Sequence, residues 1–223
     1  MKAKPSTRIR TFVLGEFEAN CFVLIRDSNA ILVDPGAEPD TLAAFIDSHH
    51  LTVSAFLLTH GHMDHVSAIG ALSRRFPAPV HLHPADLTWA FTPANAWEPH
   101  YPQPEPPAGD IVPLSDNQTL TIAGLSLRVL STPGHSPGSV CFFIESEARL
   151  LTGDTLFAGS VGRTDFPGGS SSQMQASLHR LCTLPDDTAI FPGHGILSTI
   201  GRERLSNPFL SGLNHPAART INP

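Results

Sequence analysis

Six consecutive residues, His60-Gly61-His62-Met63-Asp64-His65, place three imidazoles and a carboxylate directly after an apolar run. No other stretch constrains the chain as tightly. Ahead of it, Val53-Ser54-Ala55-Phe56-Leu57-Leu58 reads as a buried strand, and behind it Val66 to Phe76 reads as a helix that Asp64 and His65 open. The cluster therefore sits on a strand-to-helix turn, where side chains two and four residues apart can converge on one point. Gly61 lets the backbone fold tightly between the first two histidines. Neutral imidazole and carboxylate are good ligands for borderline divalent ions, so the spacing reads as a metal site. A solvated turn that is merely rich in histidine is disfavoured by matching pieces downstream.

With 223 residues, of which 41% are hydrophobic, the chain can bury one substantial core, and two full domains would be cramped. Residues 1–223 are expected to form a single domain, since no linker divides them. A net charge of -6 and a pI near 6.0 give no broad basic surface, so nucleic acid is not an expected partner. Cys21, Cys141 and Cys182 show no paired spacing, and the first two lie in apolar runs, which argues against a disulfide framework. The basic start Met1-Lys2-Ala3-Lys4-Pro5 is followed by a segment broken by Gly15, Glu16, Glu18 and Asn20, unlike a signal peptide. No run approaches the roughly 18 apolar residues needed to cross a bilayer. The expected setting is the cytoplasm, away from membranes.

Residues 9 to 14, 21 to 26 and 30 to 33 read as a meander that Asp34-Pro35-Gly36 stops. Asp40 is placed to cap a helix over Thr41 to His50, with Leu42, Phe45 and Ile46 on its buried face and His49 and His50 at the surface. Two readings are open for Asp34: an acceptor that orients a metal-binding imidazole from behind, or a simple turn former. His81 and His83 alternate on a short strand and are read as structural. Residues 92 to 110 are proline-rich and form a long loop, whose Trp97 and Tyr101, with Trp89 just before it, either border a cleft or anchor the loop.

Further strands are expected over 118–122, 125–131, 139–144, 150–152 and 188–191, with a helix over Ser171 to Leu184. A histidine or aspartate repeatedly follows the end of a buried strand, next to glycine or proline. The first half supplies His60, His62, Asp64 and His65 in this way, and the second supplies His135, Asp154 and His194. Each half has its own meander and helix, which suggests two packed sheets with helices outside.

The His-x-His-x-Asp-His cluster, His135, Asp154 and His194, in this order, resemble the metallo-β-lactamase-fold hydrolases. That resemblance implies an α/β fold, a four-layer αββα sandwich of two mixed sheets with a metal site at one edge. It assigns His60, His62 and His135 to one metal ion and Asp64, His65 and His194 to a second, with Asp154 bridging. It implies two divalent ions, zinc foremost, with iron or manganese also compatible with the ligands.

Within this family, Gly162-Arg163-Thr164-Asp165-Phe166-Pro167-Gly168-Gly169, Pro192-Gly193-His194-Gly195 and Asn207-Pro208-Phe209 are similar to single-domain type II glyoxalases. These hydrolyse the thioester S-D-lactoylglutathione by a metal-bridging hydroxide, and the resemblance gives Asp64 the catalytic task of orienting it. The expected partner is a small-molecule thioester, such as a glutathione conjugate. Two-domain glyoxalases bind glutathione with a C-terminal helical domain, whereas this sequence stops soon after His194, so the thiol half of the substrate is unassigned. Arg163 is a candidate for a substrate carboxylate, although pairing with Asp165 is favoured.

The nearest alternative is a persulfide dioxygenase of the same fold, with one iron held by two histidines and an aspartate. A β-lactamase, a lactonase and an RNA-processing nuclease fit less well: the bridging Asp154 is unlike the first, Tyr101 is the only tyrosine available to the second, and no basic arm serves the third. A non-enzymatic zinc-stabilised module is a further alternative, but structural zinc sites are usually closed and often rich in cysteine.

Overall fold

Alternation along Cys21-Phe22-Val23-Leu24-Ile25 sends Phe22 and Leu24 to one face of a sheet and Cys21, Val23 and Ile25 to the other, and both faces are buried. Such a strand needs cover on both sides. In the computed structural model, which describes residues 7–210, it lies inside a four-layer αββα sandwich.

The first sheet takes β1 (Arg8–Leu14), β2 (Ala19–Arg26), β3 (Asn29–Val33), β4 (Thr52–Leu57), β5 (Val80–Leu82) and β6 (Ile111–Pro113), in that order. Its first three strands are antiparallel, and β3 to β6 run parallel. The second sheet is built from β7 (Thr119–Ile122), β8 (Leu125–Ser131), β9 (Val140–Ile144), β10 (Arg149–Gly153), β13 (Ala189–Pro192) and β14 (Ser198–Thr199). It is antiparallel except where β10 meets β13. Between these last two in sequence, β11 (Leu156–Phe157) and β12 (Ser160–Val161) form a separate ribbon.

Phe22, Leu24, Val33 and Leu57 of the first sheet meet Leu127, Val129, Phe142 and Leu151 of the second to fill the space between the sheets. Outside the first sheet, α1 (Pro39–Ser48) and α3 (Ile69–Arg75) bury Leu42, Ile46, Ile69 and Leu72 against Val23, Leu32 and Phe56. Outside the second, α5 (Ser171–Leu181) and α6 (Ile200–Ser206) bury Met174, Leu178, Leu181 and Ile200 against Cys141, Phe143 and Ile190. The three cysteines are free thiols. Among the described residues no helix is long and apolar enough to cross a membrane.

Several local expectations change. The helix expected over 66–76 is two helices, α2 (Met63–Val66) and α3. The break falls at Ser67-Ala68, where the Ala68 amide donates outward to the Pro35 carbonyl at 3.1 Å and the Ser67 hydroxyl donates to the Met63 carbonyl at 2.7 Å. Asp40 does not cap α1. Glu38, in a left-handed conformation, precedes Pro39 at the first turn, and no side chain caps the end. Phe45 is only half-buried, and Ala43 joins Leu42 and Ile46 on the buried face. α5 stops at Leu181, short of Pro185, and Ser170 caps its start by accepting from the Gln173 amide at 3.3 Å. The proline-rich segment leads into β6, an edge strand ending in proline, where a missing N–H is tolerated.

Candidate metal centre

The ligand-type side chains converge because strands end together. β3 ends at Asp34, β4 at the His60–His65 turn, β10 at Asp154 and β13 at His194, while His135 sits on the loop from β8 to β9. Two backbone hydrogen bonds pin the sheets to one another at this edge: the Val140 amide donates to the Thr59 carbonyl at 2.8 Å, and the Asn20 amide to the Gly193 carbonyl at 2.7 Å. The Asn20 side chain adds bonds to the carbonyls of Pro192 and Gly195, at 2.9 and 3.0 Å.

Of three groups of potential ligand atoms there, Asp34, His60 and His65 share members with the other two, which are His60, His62 and His135, and Asp64, His65 and His194. Asp154 lies between them. Its Oδ1 is 3.5 Å from His65 Nε2, and its Oδ2 is 3.5 Å from His135 Nε2 and 3.6 Å from His194 Nε2. The close approach at Gly193 leaves no room for a side chain, since a Cβ there would collide with Asp154 Oδ1 and stand 2.9 Å from His65 Cε1.

The imidazoles are oriented from behind. The Thr59 hydroxyl donates to Asp34 Oδ2 at 2.6 Å, which leaves its oxygen to accept from His60 Nδ1 at 3.0 Å. His60 Nε2 therefore carries the lone pair, and it points into the cluster. The same Asp34 oxygen lies 3.3 Å from His65 Nδ1, and Asp34 Oδ1 accepts the Thr59 amide at 2.7 Å. His135 Nδ1 donates to the Arg163 carbonyl at 2.8 Å, turning its Nε2 to within 2.8 Å of His62 Nδ1. Such partners fix the tautomer that a metal ligand needs.

Charge divides the centre. Burial, reinforced by neighbouring imidazoles, holds His60 well below the usual histidine range and brings His62 down to about 3. Burial also opposes a charge on His65, but Asp64, Asp154 and Asp34 outweigh it and push His65 up to about 10. His194 is raised by Asp64 and Asp154 against its own burial. Burial would raise Asp64, yet His65 and His194 override it and keep the carboxylate well below its ordinary range.

These residues fit a metal. His60 Nε2 and Asp154 Oδ1 are buried without a hydrogen-bond partner, and an unsatisfied buried acceptor costs about 1–3 kcal/mol. A cation among three imidazoles and a carboxylate-rich flank would meet both needs.

Other expected residues fall around this centre. His81 and His83 lie outside both ligand groups, and His83 Nδ1 accepts the Ala85 amide at 3.3 Å to cap α4 (Pro84–Leu87). The Arg163 guanidinium makes two bonds to Asp165, at 2.6 and 2.7 Å, and lies over the Phe166 ring. Asn207 donates to the carbonyls of Phe157 and Ser160 and so holds the β11–β12 ribbon. Trp89 borders the centre with its ring 5.1 Å from His62, whereas Tyr101 is a buried anchor beneath Gly15. Gly61 has an ordinary backbone conformation; it is small because a Cβ would press on Ala90, Asp86 and Trp89 at 3.0 to 3.2 Å.

Sequence reasoning missed Asp86. This fully buried carboxylate accepts from the Gly61 amide at 2.9 Å, the Ser136 hydroxyl at 2.6 Å and the Gly138 amide at 2.6 Å, so it clamps the His60–His62 turn to the His135 loop. A cavity of about 600 Å³ opens between Gly162–Thr164 and α5.

The Metallo-beta-lactamase superfamily profile matches residues 14–194. The chain belongs to this superfamily. It is 35% identical to the hydroxyacylglutathione hydrolase GloC of Haemophilus influenzae, over 87% of this chain and 94% of that one. Among solved structures, the B3 metallo-beta-lactamase BLEG-1 superposes with a TM-score of 0.86 at 39% identity, covering 92% of this chain and 100% of that one. TTHA1623 in a di-iron-bound form superposes with a TM-score of 0.79 at 39% identity, covering 93% and 100%.

Proposed function

We propose that the protein is a metal-dependent thioester hydrolase of the glyoxalase II type, cleaving S-D-lactoylglutathione or a related acyl-thioester. In this reading His60, His62 and His135 hold one divalent ion, Asp64, His65 and His194 a second, and Asp154 joins them. The observation that carries it is the position of Asp154, whose carboxylate lies within 3.5 Å of His135 in one group and within 3.5 and 3.6 Å of His65 and His194 in the other. The likeness to GloC supports the substrate class, and the di-iron neighbour supports a paired site.

Bound metal ions would supply Lewis-acid chemistry, polarising a thioester carbonyl and acidifying water. The chain's own residues do the rest. Asp34 and Thr59 hold His60 and His65 with their Nε2 atoms inward, and Arg163, through its carbonyl, does the same for His135. Asp64, whose carboxylate oxygen lies 3.2 Å from His194 Nε2, is an acceptor that orients the attacking water. Trp89 and Phe166, each with its ring 5.1 Å from His62, exclude bulk water on that flank.

The test is release of free thiol from S-D-lactoylglutathione, with bound metal counted on the same sample. Turnover with two ions per chain, abolished by His60→Ala, is expected. Absence of thiol release from fully loaded protein would overturn the reading. Oxygen uptake with glutathione persulfide by a one-iron sample would install the dioxygenase in its place, and opening of a chromogenic β-lactam would install the lactamase that the BLEG-1 likeness favours.

A further inference from the structure

Aromatic side chains stand against ligand-type histidines in both groups of the centre. Trp89 and Phe166 cover His62, and the Phe157 ring stands 6.1 Å from that of His194. The tip of the β1–β2 hairpin carries Phe17, edge-on to Trp97 at 6.0 Å and 5.0 Å from Tyr101. Two ties hold this aromatic group beside the ligands: Asn95, two residues before Trp97, donates to the Gly61 carbonyl at 2.7 Å, and Ala19 pairs with His194. Ile196 and Leu197 follow His194 after Gly195.

Phe17, Trp97, Ile196 and Leu197 stay 37%, 47%, 68% and 48% exposed. A group of large apolar side chains left in water beside a polar centre marks a binding surface. On the same rim the Arg163 charge is paired with Asp165, and Glu16 is in contact with His100. Little of this wall would recognise a small hydroxylated acyl group, and much of it would desolvate a ring.

We infer that this wall receives the acyl half of the substrate and that the preferred acyl group is apolar and bulky, aryl or branched alkyl. The inference rests on thioester hydrolysis as the reaction. Phe17, Trp97 and Leu197 determine the preference, while the thiol half is bound elsewhere.

The comparison that isolates the acyl half is S-D-mandeloylglutathione against S-D-lactoylglutathione, which differ only in phenyl for methyl. The mandeloyl thioester is expected to show a kcat/KM about tenfold higher. Trp97→Ala and Leu197→Ser should each lower that ratio at least about threefold with bound metal per chain unchanged. Should one variant lose its metal, the other decides. A ratio of one or below in the parent protein, or a ratio unmoved in the metal-retaining variants, would overturn the inference while leaving thioester hydrolysis in place. Hydrolysis of neither thioester by loaded protein would remove both.

Discussion

Asp34 Oδ2 lies 3.3 Å from His65 Nδ1 and accepts, at 2.6 Å, the Thr59 hydroxyl that in turn faces His60. One carboxylate thus orients an imidazole in each of the two ligand groups. Asp34→Ala should weaken affinity for divalent metal about 10–100-fold, the usual cost of losing a carboxylate behind a histidine ligand. Competition against a chromogenic chelator measures it, and unchanged affinity would show that Asp34 serves the turn alone.

Asp86 receives three donors from two loops, and burial raises its carboxyl while those donors oppose the rise. In Asp86→Asn one of the two oxygens becomes an NH2 facing a donor. The variant should lose about 2–3 kcal/mol of stability in urea unfolding. Its metal affinity should fall as well, since the clamp holds both His62 and His135. Parent-like stability would remove the clamp argument.

Gly193→Ala would thrust a methyl group into Asp154 Oδ1. Displacing a carboxylate by about 1 Å at a reacting centre can cost about 100-fold in rate, and a loss of that order is expected, with metal content reduced. Gly109→Ala is the control: nothing lies within 4 Å of its added Cβ, and activity and stability should be retained.

Arg180 ties α5 to the turn before β7, bonding Asp116 Oδ1 at 2.6 Å and the Ser131 carbonyl at 3.0 Å. Burial would raise the Asp116 carboxyl, but the Arg180 bond prevails and lowers it. A lowered folded-state value means that the pair's stability is present above the unfolded value of about 3.9 and fades as pH falls through the folded one. Both partners are partly exposed, so solvent screening limits the ion pair to about 0.2–1 kcal/mol. Arg180→Gln should lose that amount at pH 7, and the difference from the parent should shrink near pH 3. A gap constant from pH 7 to 3 would assign it to the Ser131 contact.

Much of this architecture is written in strand periodicity. Alternating runs such as 21–26 and 140–144 have to be covered on both faces, and the polar residue after each buried strand marks the edge where His60, Asp154 and His194 meet. What stayed hidden depends on distant backbone. Asp86 sits in a four-residue helix and is recognisable only through Gly61, Ser136 and Gly138. The break at Ser67 arises from a bond to Pro35, and β11, β12 and β14 are two residues long, too short for any period to register. Asp40 looked like a cap because the left-handed turn at Glu38 leaves no mark in composition.

The two amides that reach across the sheets, Val140 to Thr59 and Asn20 to Gly193, have a consequence for assembly. Each fastens a ligand-bearing turn of one half to a strand of the other, so neither turn is set until the halves have docked. Loop closure over such separations is entropically costly and slow, which makes the finished centre a late event in folding. Tight metal capture would then serve as a clock for maturation: a chain stalled with its two sheets apart holds every ligand and still has no site.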